Sequence, residues 1–313
     1  MLRISKRSID EKEGTRMLAE DEVEKLIKAG KVVREVRKNV PSFVSEGARV
    51  FEICEKVEEE IRKLGAEPAF PCNVGIDSVG AHYTSPPGDA TIIPPGCLVK
   101  IDLGAHVDGY IADSALTVSI DSEYEDMIRV ADEALERAVQ AVSVGGRVAD
   151  VGVAVEKTIR SRGFRPISNL TGHQIAKYTI HAGVSIPNVG PQEVGGGRFE
   201  PWSVYALEPF VTLPDAVGSV RDAMPGNILA VVKIKGPKDA MGRRLFDETY
   251  KRFRTLPFSK RWISKSESFE AWKRLVAERV FYEYPVLVES SGKPIAQGEH
   301  TVLTTKREVI VTT

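Results

Sequence analysis

Apolar positions along the chain switch between a helical stripe and a two-residue rhythm. From Glu22, the residues Val23, Leu26, Ile27, Val33, Val36 and Val40 follow a helical period. Val50, Phe51, Cys54, Val57, Ile61 and Leu64 predict a second helix, with Ser45 as its cap and Gly65 as its stop. Pro68 and Pro71 then exclude a continuing helix and make residues 68–73 a turn-rich segment. Past Pro94-Pro95-Gly96, alternation takes over: Leu98, Ile101 and Leu103 run into Asp108-Gly109, and Tyr110, Ile111, Leu116 and Val118 run out of it. A third helical stripe follows Asp121-Ser122 (Tyr124, Met127, Ile128, Ala131, Leu135, Val139), and a fourth runs from about Asp150 to Arg162, ending at Gly163. Residues 170–175, 178–183 and 204–210 read as β-rich. Helical patterns return at 245–253 and 269–280, and strand patterns at 284–289, 296–303 and 309–311. Two helices before a β-rich block, then two more before another, suggest a duplicated α+β half.

The Asp108-Gly109 pair suits a type I′ turn, in which both central residues need positive φ. A two-residue loop sets Val107 opposite Tyr110 and Asp102 opposite Ala115. Asp113 then shares a sheet face with Asp102 as its diagonal neighbour, roughly 7–8 Å away at the backbone. Two carboxylates on one face repel unless one turns to water or a cation lies between them. Both readings are open from the hairpin alone.

Composition narrows the field. The chain has 313 residues, 42% hydrophobic and 28% charged, with a net charge of −1, as expected of a soluble globular protein with no overall pull toward nucleic acid or membrane. No apolar run approaches the ~18 residues of a membrane span. The amino terminus lacks an apolar secretory region. Three cysteines without a Cys-x-x-Cys pair argue for a reducing compartment, so a cytoplasmic location is expected. Charge is uneven, however. Residues 225–284 hold 14 Lys/Arg against 7 Asp/Glu, and the rest of the chain holds 29 against 37. This stretch reads as an inserted helical subdomain. Residues 1–20 read as a charged tail, and 21–224 with 285–313 as the main domain.

His82, His173, His181 and His300 lie in short apolar segments bounded by Gly or Pro, and His106 lies in the hairpin. Glu208 sits within Ala206-Leu207-Glu208-Pro209-Phe210, where a buried carboxylate is costly unless paired or metal-bound. Two Asp, two Glu and one His in such places make an oxygen-rich donor set suited to a pair of first-row divalent ions. Four carboxylates would balance two dications.

Asp102 and Asp113 eleven residues apart, Gly172-His173, Leu207-Glu208-Pro209-Phe210 and Gln297-Gly298-Glu299-His300-Thr301 occur in the order of the methionine aminopeptidase family. Phe70-Pro71, Ala81-His82-Tyr83-Thr84, Ile180-His181-Ala182-Gly183, Thr255-Leu256-Pro257-Phe258 with Arg261-Trp262, and the insertion before the last ligand resemble its type 2 branch, in a short form similar to archaeal members. The resemblance covers about residues 21–313. It implies the creatinase or pita-bread fold, α+β, with two pseudo-symmetric halves enclosing two divalent metal ions (Co, Mn, Fe or Zn). Asp102 would bind one ion in bidentate fashion, His173 and Glu208 the other, and Asp113 and Glu299 would bridge both. A water between the ions would attack the first peptide bond of nascent chains that begin with methionine and have a small second residue. Glu208 would shuttle the proton, His181 would polarise the scissile carbonyl, and His82 would contact the next amide. Phe70, Ile180, His181 and Tyr284 would line the methionine pocket. Gly298 departs from the bulkier residue usual in relatives and would border one wall of the site. The resemblance also implies a monomer away from membranes that touches the ribosome transiently through the basic insertion. Prolidase-like or aminopeptidase P-like activity, or ribosome and RNA binding without catalysis, are the alternatives.

Overall fold

The computed structural model describes residues 16–190, 196–263 and 269–313, so most of the expected amino-terminal tail lies outside the described residues. In the first half, helices α1 (Glu20–Asn39) and α2 (Val50–Lys63) cover one face of a sheet. That sheet contains β1 (Asn73–Ile76), with β2 (Val79–Ala81) following it in another sheet. Its long members are β3 (Cys97–Val107) and β4 (Tyr110–Ile120). Val33, Val36, Val50 and Val57 pack against Val99, Ile101 and Leu103, all almost wholly buried. Helix α1 begins with Glu20, Asp21 and Glu22, acids that favour the positive end of the helix dipole. Helix α2 departs from expectation. Its cap is Arg49, and Ser45 instead offers its backbone carbonyl to the Ala48 N–H at 3.1 Å. Gly47, at φ 75°, turns the chain there and delays the helix.

The second half repeats the plan. Helices α3 (Glu125–Ala141) and α4 (Val148–Ser161) share a core with strand β6 (Ser203–Leu207), through Val130, Leu135, Val155, Tyr205 and Leu207, and β6 pairs with β5 (Thr171–Ile175). Next come β7 (Val220–Val231), α5 (Ala240–Phe253), α6 (Phe269–Ala277) and β8 (Phe281–Glu289). Strands β7 and β8 pair antiparallel, so the basic stretch 225–284 enters and leaves as strand and is helical only between them. Helix α6 stops three residues short of the expected 280 because Arg279 adopts a φ of 56°. Strands β9 (Ile295–Gln297) and β10 (His300–Thr304) close the chain's return, and β10 pairs with β6. Among the described residues no helix is long and apolar enough to cross a membrane.

The two halves meet where β4 runs beside β9 and β10. The Ser114 hydroxyl donates to the Glu299 carbonyl at 2.7 Å, and the Glu299 N–H donates to the Ala115 carbonyl at 3.1 Å. The Thr117 hydroxyl accepts the Gln297 N–H and donates to its carbonyl, both at 2.8 Å. Beneath this seam the buried Lys100 ammonium donates to the carbonyls of Asp77 at 2.8 Å and Ile295 at 2.9 Å. Burial lowers the Lys100 pKa to about 7.

Candidate metal centre

The hairpin places the first two carboxylates. Asp108 and Gly109 have φ of 51° and 85°, Val107 pairs with Tyr110, Asp102 with Ala115, and Asp113 with Gly104. The two-residue turn and its register are therefore as read from the sequence, and Asp102 and Asp113 line the same cavity. The second half supplies the rest. His173 on β5 pairs with Ala206 on β6. His300 pairs with Leu207, so the next antiparallel step sets Glu299 opposite Glu208. Adjacent strand positions thus bring together three side chains that lie as many as 126 residues apart, from His173 to Glu299.

Side-chain ligand atoms of Asp113, His173 and Glu299 lie within 4.8 Å of one another, all three residues buried. His173 Nε2 stands 3.6 Å from both Asp113 Oδ2 and Glu208 Oε1. That is too far for a hydrogen bond, yet close to the separation of two atoms that each sit about 2 Å from one ion. Asp102 Oδ1, Asp113 Oδ1 and His173 Nδ1 are buried without any hydrogen-bond partner. Unpartnered buried carboxylate oxygens are costly, and a cation among them removes the cost, with His173 Nε2, the ring nitrogen beside the carboxylates, as its nitrogen donor. The donor set therefore fits divalent metal. Without it, burial pushes the Asp102 carboxyl up to about 7. Burial and then the neighbouring carboxylates push Asp113, Glu208 and Glu299 well above the usual range. Burial pulls His173 down to about 4.

The cavity, about 500 Å³, is also lined by Phe70, His82, Ile180, His181 and Tyr284, so every sequence-derived site residue reaches it. His82 takes a φ of 65°, rare for a residue with a Cβ, directly after β2. Its Nδ1 lies 3.1 Å from the Pro285 carbonyl. A carbonyl can only accept, so Nδ1 carries the hydrogen and Nε2 is left as an acceptor. His181 sits edge-on to His173, with ring centroids 4.5 Å apart, and burial followed by His173 and His82 holds it neutral. Phe70 lies across Gly104, where a Cβ would come within 2.3 Å of its ring.

The model of metallopeptidase family M24 matches residues 24–227. A methionine aminopeptidase of Thermococcus kodakarensis is 40% identical over 297 residues, which are 94% of this chain and all of that protein. The chain belongs to the methionine aminopeptidases. Among solved structures, a thermophilic Arx1 overlays with a TM-score of 0.82 at 20% identity, covering 94% of this chain and 91% of that one. The methionine aminopeptidase of Thermotoga maritima overlays at 0.67 and 22% identity, covering 95% and 98%. These likenesses establish the pita-bread fold.

In this methionine aminopeptidase family member, three further residues bear on the site. Asn73 opens β1, not a turn, and lies directly opposite Asp102 in the ladder. Thr301 clamps the backbone of Asp113. Tyr282 lines the cavity beside Tyr284. Of these, only Thr301 falls within a motif that the sequence singles out for chemistry. Gly298 is corrected: strand alternation turns it away from the cavity, and a Cβ there would meet Asp132, Leu135 and Ala131 of α3 at 3.3–3.6 Å. His106 and His300 are structural, the first accepting the Gly109 N–H at 3.1 Å and the second lying 2.9 Å from the Thr313 hydroxyl.

Proposed function

We propose that this enzyme acts on peptides and nascent chains with a small second residue, and that two divalent ions serve it. Asp102 would hold one ion, His173 and Glu208 the other, and Asp113 and Glu299 both. The observation that carries this reading is the meeting of all five side chains in one cavity, where Asp102 Oδ1 and Asp113 Oδ1 are buried without partners. Bound ions supply Lewis acidity and bring the pKa of water toward neutrality.

The protein's own groups do the rest. Glu208, half-buried at the cavity wall, takes the proton of the attacking water and delivers it to the departing amine. Neutral His181 donates an N–H to the scissile carbonyl oxygen, where negative charge develops. His82, through its free Nε2, accepts the N–H of the following amide. Phe70, Ile180 and Tyr284, with the His181 ring, receive the thioether side chain, and crowding past them rejects large second residues. We place the enzyme in the cytoplasm as a monomer. The 14 Lys/Arg against 7 Asp/Glu of residues 225–284 support transient contact with ribosomal RNA.

The test is a Met-X-Ser peptide series with metal-free protein refilled by Mn, Fe, Co or Zn. Met-Ala-Ser should be cut and Met-Leu-Ser left intact. Cleavage of X-Pro peptides instead, or no metal uptake by the five-residue set, would overturn the reading.

A further inference from the structure

We infer that Asn73 recognises the free α-amine of the substrate, its side-chain carbonyl accepting one of the amine's N–H groups. Asn73 pairs directly with Asp102 across β1 and β3, so the two side chains leave the same face with Cβ atoms about 4.5–5.5 Å apart. It is 6% exposed and lines the cavity. Its Nδ2 donates to the Pro71 carbonyl at 3.1 Å. That bond decides which end of the amide is free, because the reverse orientation would set carbonyl against carbonyl. The free end is Oδ1, buried and without a partner, beside the equally unpartnered Asp102 Oδ1.

Two bare acceptors on neighbouring strands need something between them. A cation at Asp102 satisfies the carboxylate but leaves the amide oxygen, a weak ligand in a set of four carboxylates, still short of a donor. An amine seated at the Asp102 end carries N–H groups that supply it. The inference rests on the function proposed above, in which the substrate brings a free amino terminus into this cavity. It adds a physical reason for requiring an unblocked terminus: an acylated nitrogen keeps a single N–H and brings a carbonyl oxygen against the bare acceptors of Asn73 and Asp102.

The experiment uses full-length, metal-loaded protein and two inhibitors: L-methioninol, and the same alcohol with its amine replaced by hydrogen. Asn73→Leu should weaken methioninol about tenfold. It should change the amine-free alcohol less than twofold and leave metal affinity, read by calorimetric titration, unaltered. Asn73→Asp keeps an acceptor oxygen and should recover most of the loss. Should Asn73→Leu not fold, Asn73→Ser serves for the same comparison. Equal weakening of both inhibitors would overturn the inference in favour of a role in shaping the Phe70–Pro71 wall. Weaker metal binding would overturn it in favour of direct ligation. Wild-type protein that leaves Met-Ala-Ser uncut after metal loading would instead sink the proposed function, and that result is read separately.

Discussion

The Thr301 hydroxyl accepts the backbone N–H of Asp113 and donates back to the Asp113 carbonyl, both at 2.8 Å. One side chain from the second half, two positions from Glu299, thus fixes both backbone groups of Asp113, a proposed ligand from the first half. Thr301→Val keeps the shape and removes both bonds, leaving a buried N–H and C=O unsatisfied at about 1–3 kcal/mol each. Chemical denaturation should show a loss of several kcal/mol together with weaker metal binding. Thr301→Ser, which keeps the hydroxyl, should restore most of both.

The stability that metal adds should depend on pH. The carboxyls of Asp102, Asp113, Glu208 and Glu299 are raised by burial, Asp102 to about 7. The folded state therefore binds more protons than the unfolded one, whose carboxyls titrate near 4, and stability falls as pH rises through the folded values. His173 works the other way between about 4 and its ordinary value. The other four histidines and Lys100, all lowered by burial, act alike with and without metal and cancel in the comparison. The margin by which metal-loaded protein melts above metal-free protein should widen from pH 5 to 8, because bound ions require the deprotonated ligands. A gap between the two that stays constant across this range would contradict the arrangement.

Glu58 and Arg261 join α2 to the segment between α5 and α6. Glu58 is 1% exposed and accepts two guanidinium bonds, the Trp262 indole N–H at 2.6 Å and the Cys72 N–H at 3.0 Å. Arg261→Met leaves a buried carboxylate with its charge uncompensated and should cost about 3–5 kcal/mol. Glu58→Leu combined with Arg261→Met should cost less than the sum of the two single changes. A double-mutant cycle in urea measures the coupling.

Gly104 makes room for Phe70. A methyl group there would lie 2.3 Å from the ring, so Gly104→Ala must displace the aromatic wall of the proposed methionine pocket. KM for Met-Ala-Ser should rise about tenfold, on the scale of one misplaced apolar contact. Metal content should be unchanged, since Asp102 and Asp113 keep their register. An unaltered KM would place the methionine side chain elsewhere.

How much was legible in the sequence depended on how local each determinant was. Asp108-Gly109 fixes its own turn, and the turn fixes the register, so the positions of Asp102 and Asp113 could be counted along the strands. The Ser45 cap failed because Gly47 bends the chain before the helix starts, a competition that apolar spacing does not record. The two helical patterns inside the 225–284 stretch are local, whereas the strands at its ends, β7 and β8, find each other only across the chain between Val231 and Phe281. Asn73 lay hidden for the same reason. Nothing near it in sequence announces that it will stand opposite Asp102.

Lys100 grips a carbonyl from each side of the central seam, one just past β1 and one at the start of β9. Prising the halves apart would strip that ammonium of its bonds in a place that water does not reach. The molecule cannot open there like a book and close again cheaply. Heat or urea should therefore melt the α+β body in one cooperative step, and substrate must enter along the cavity's own mouth.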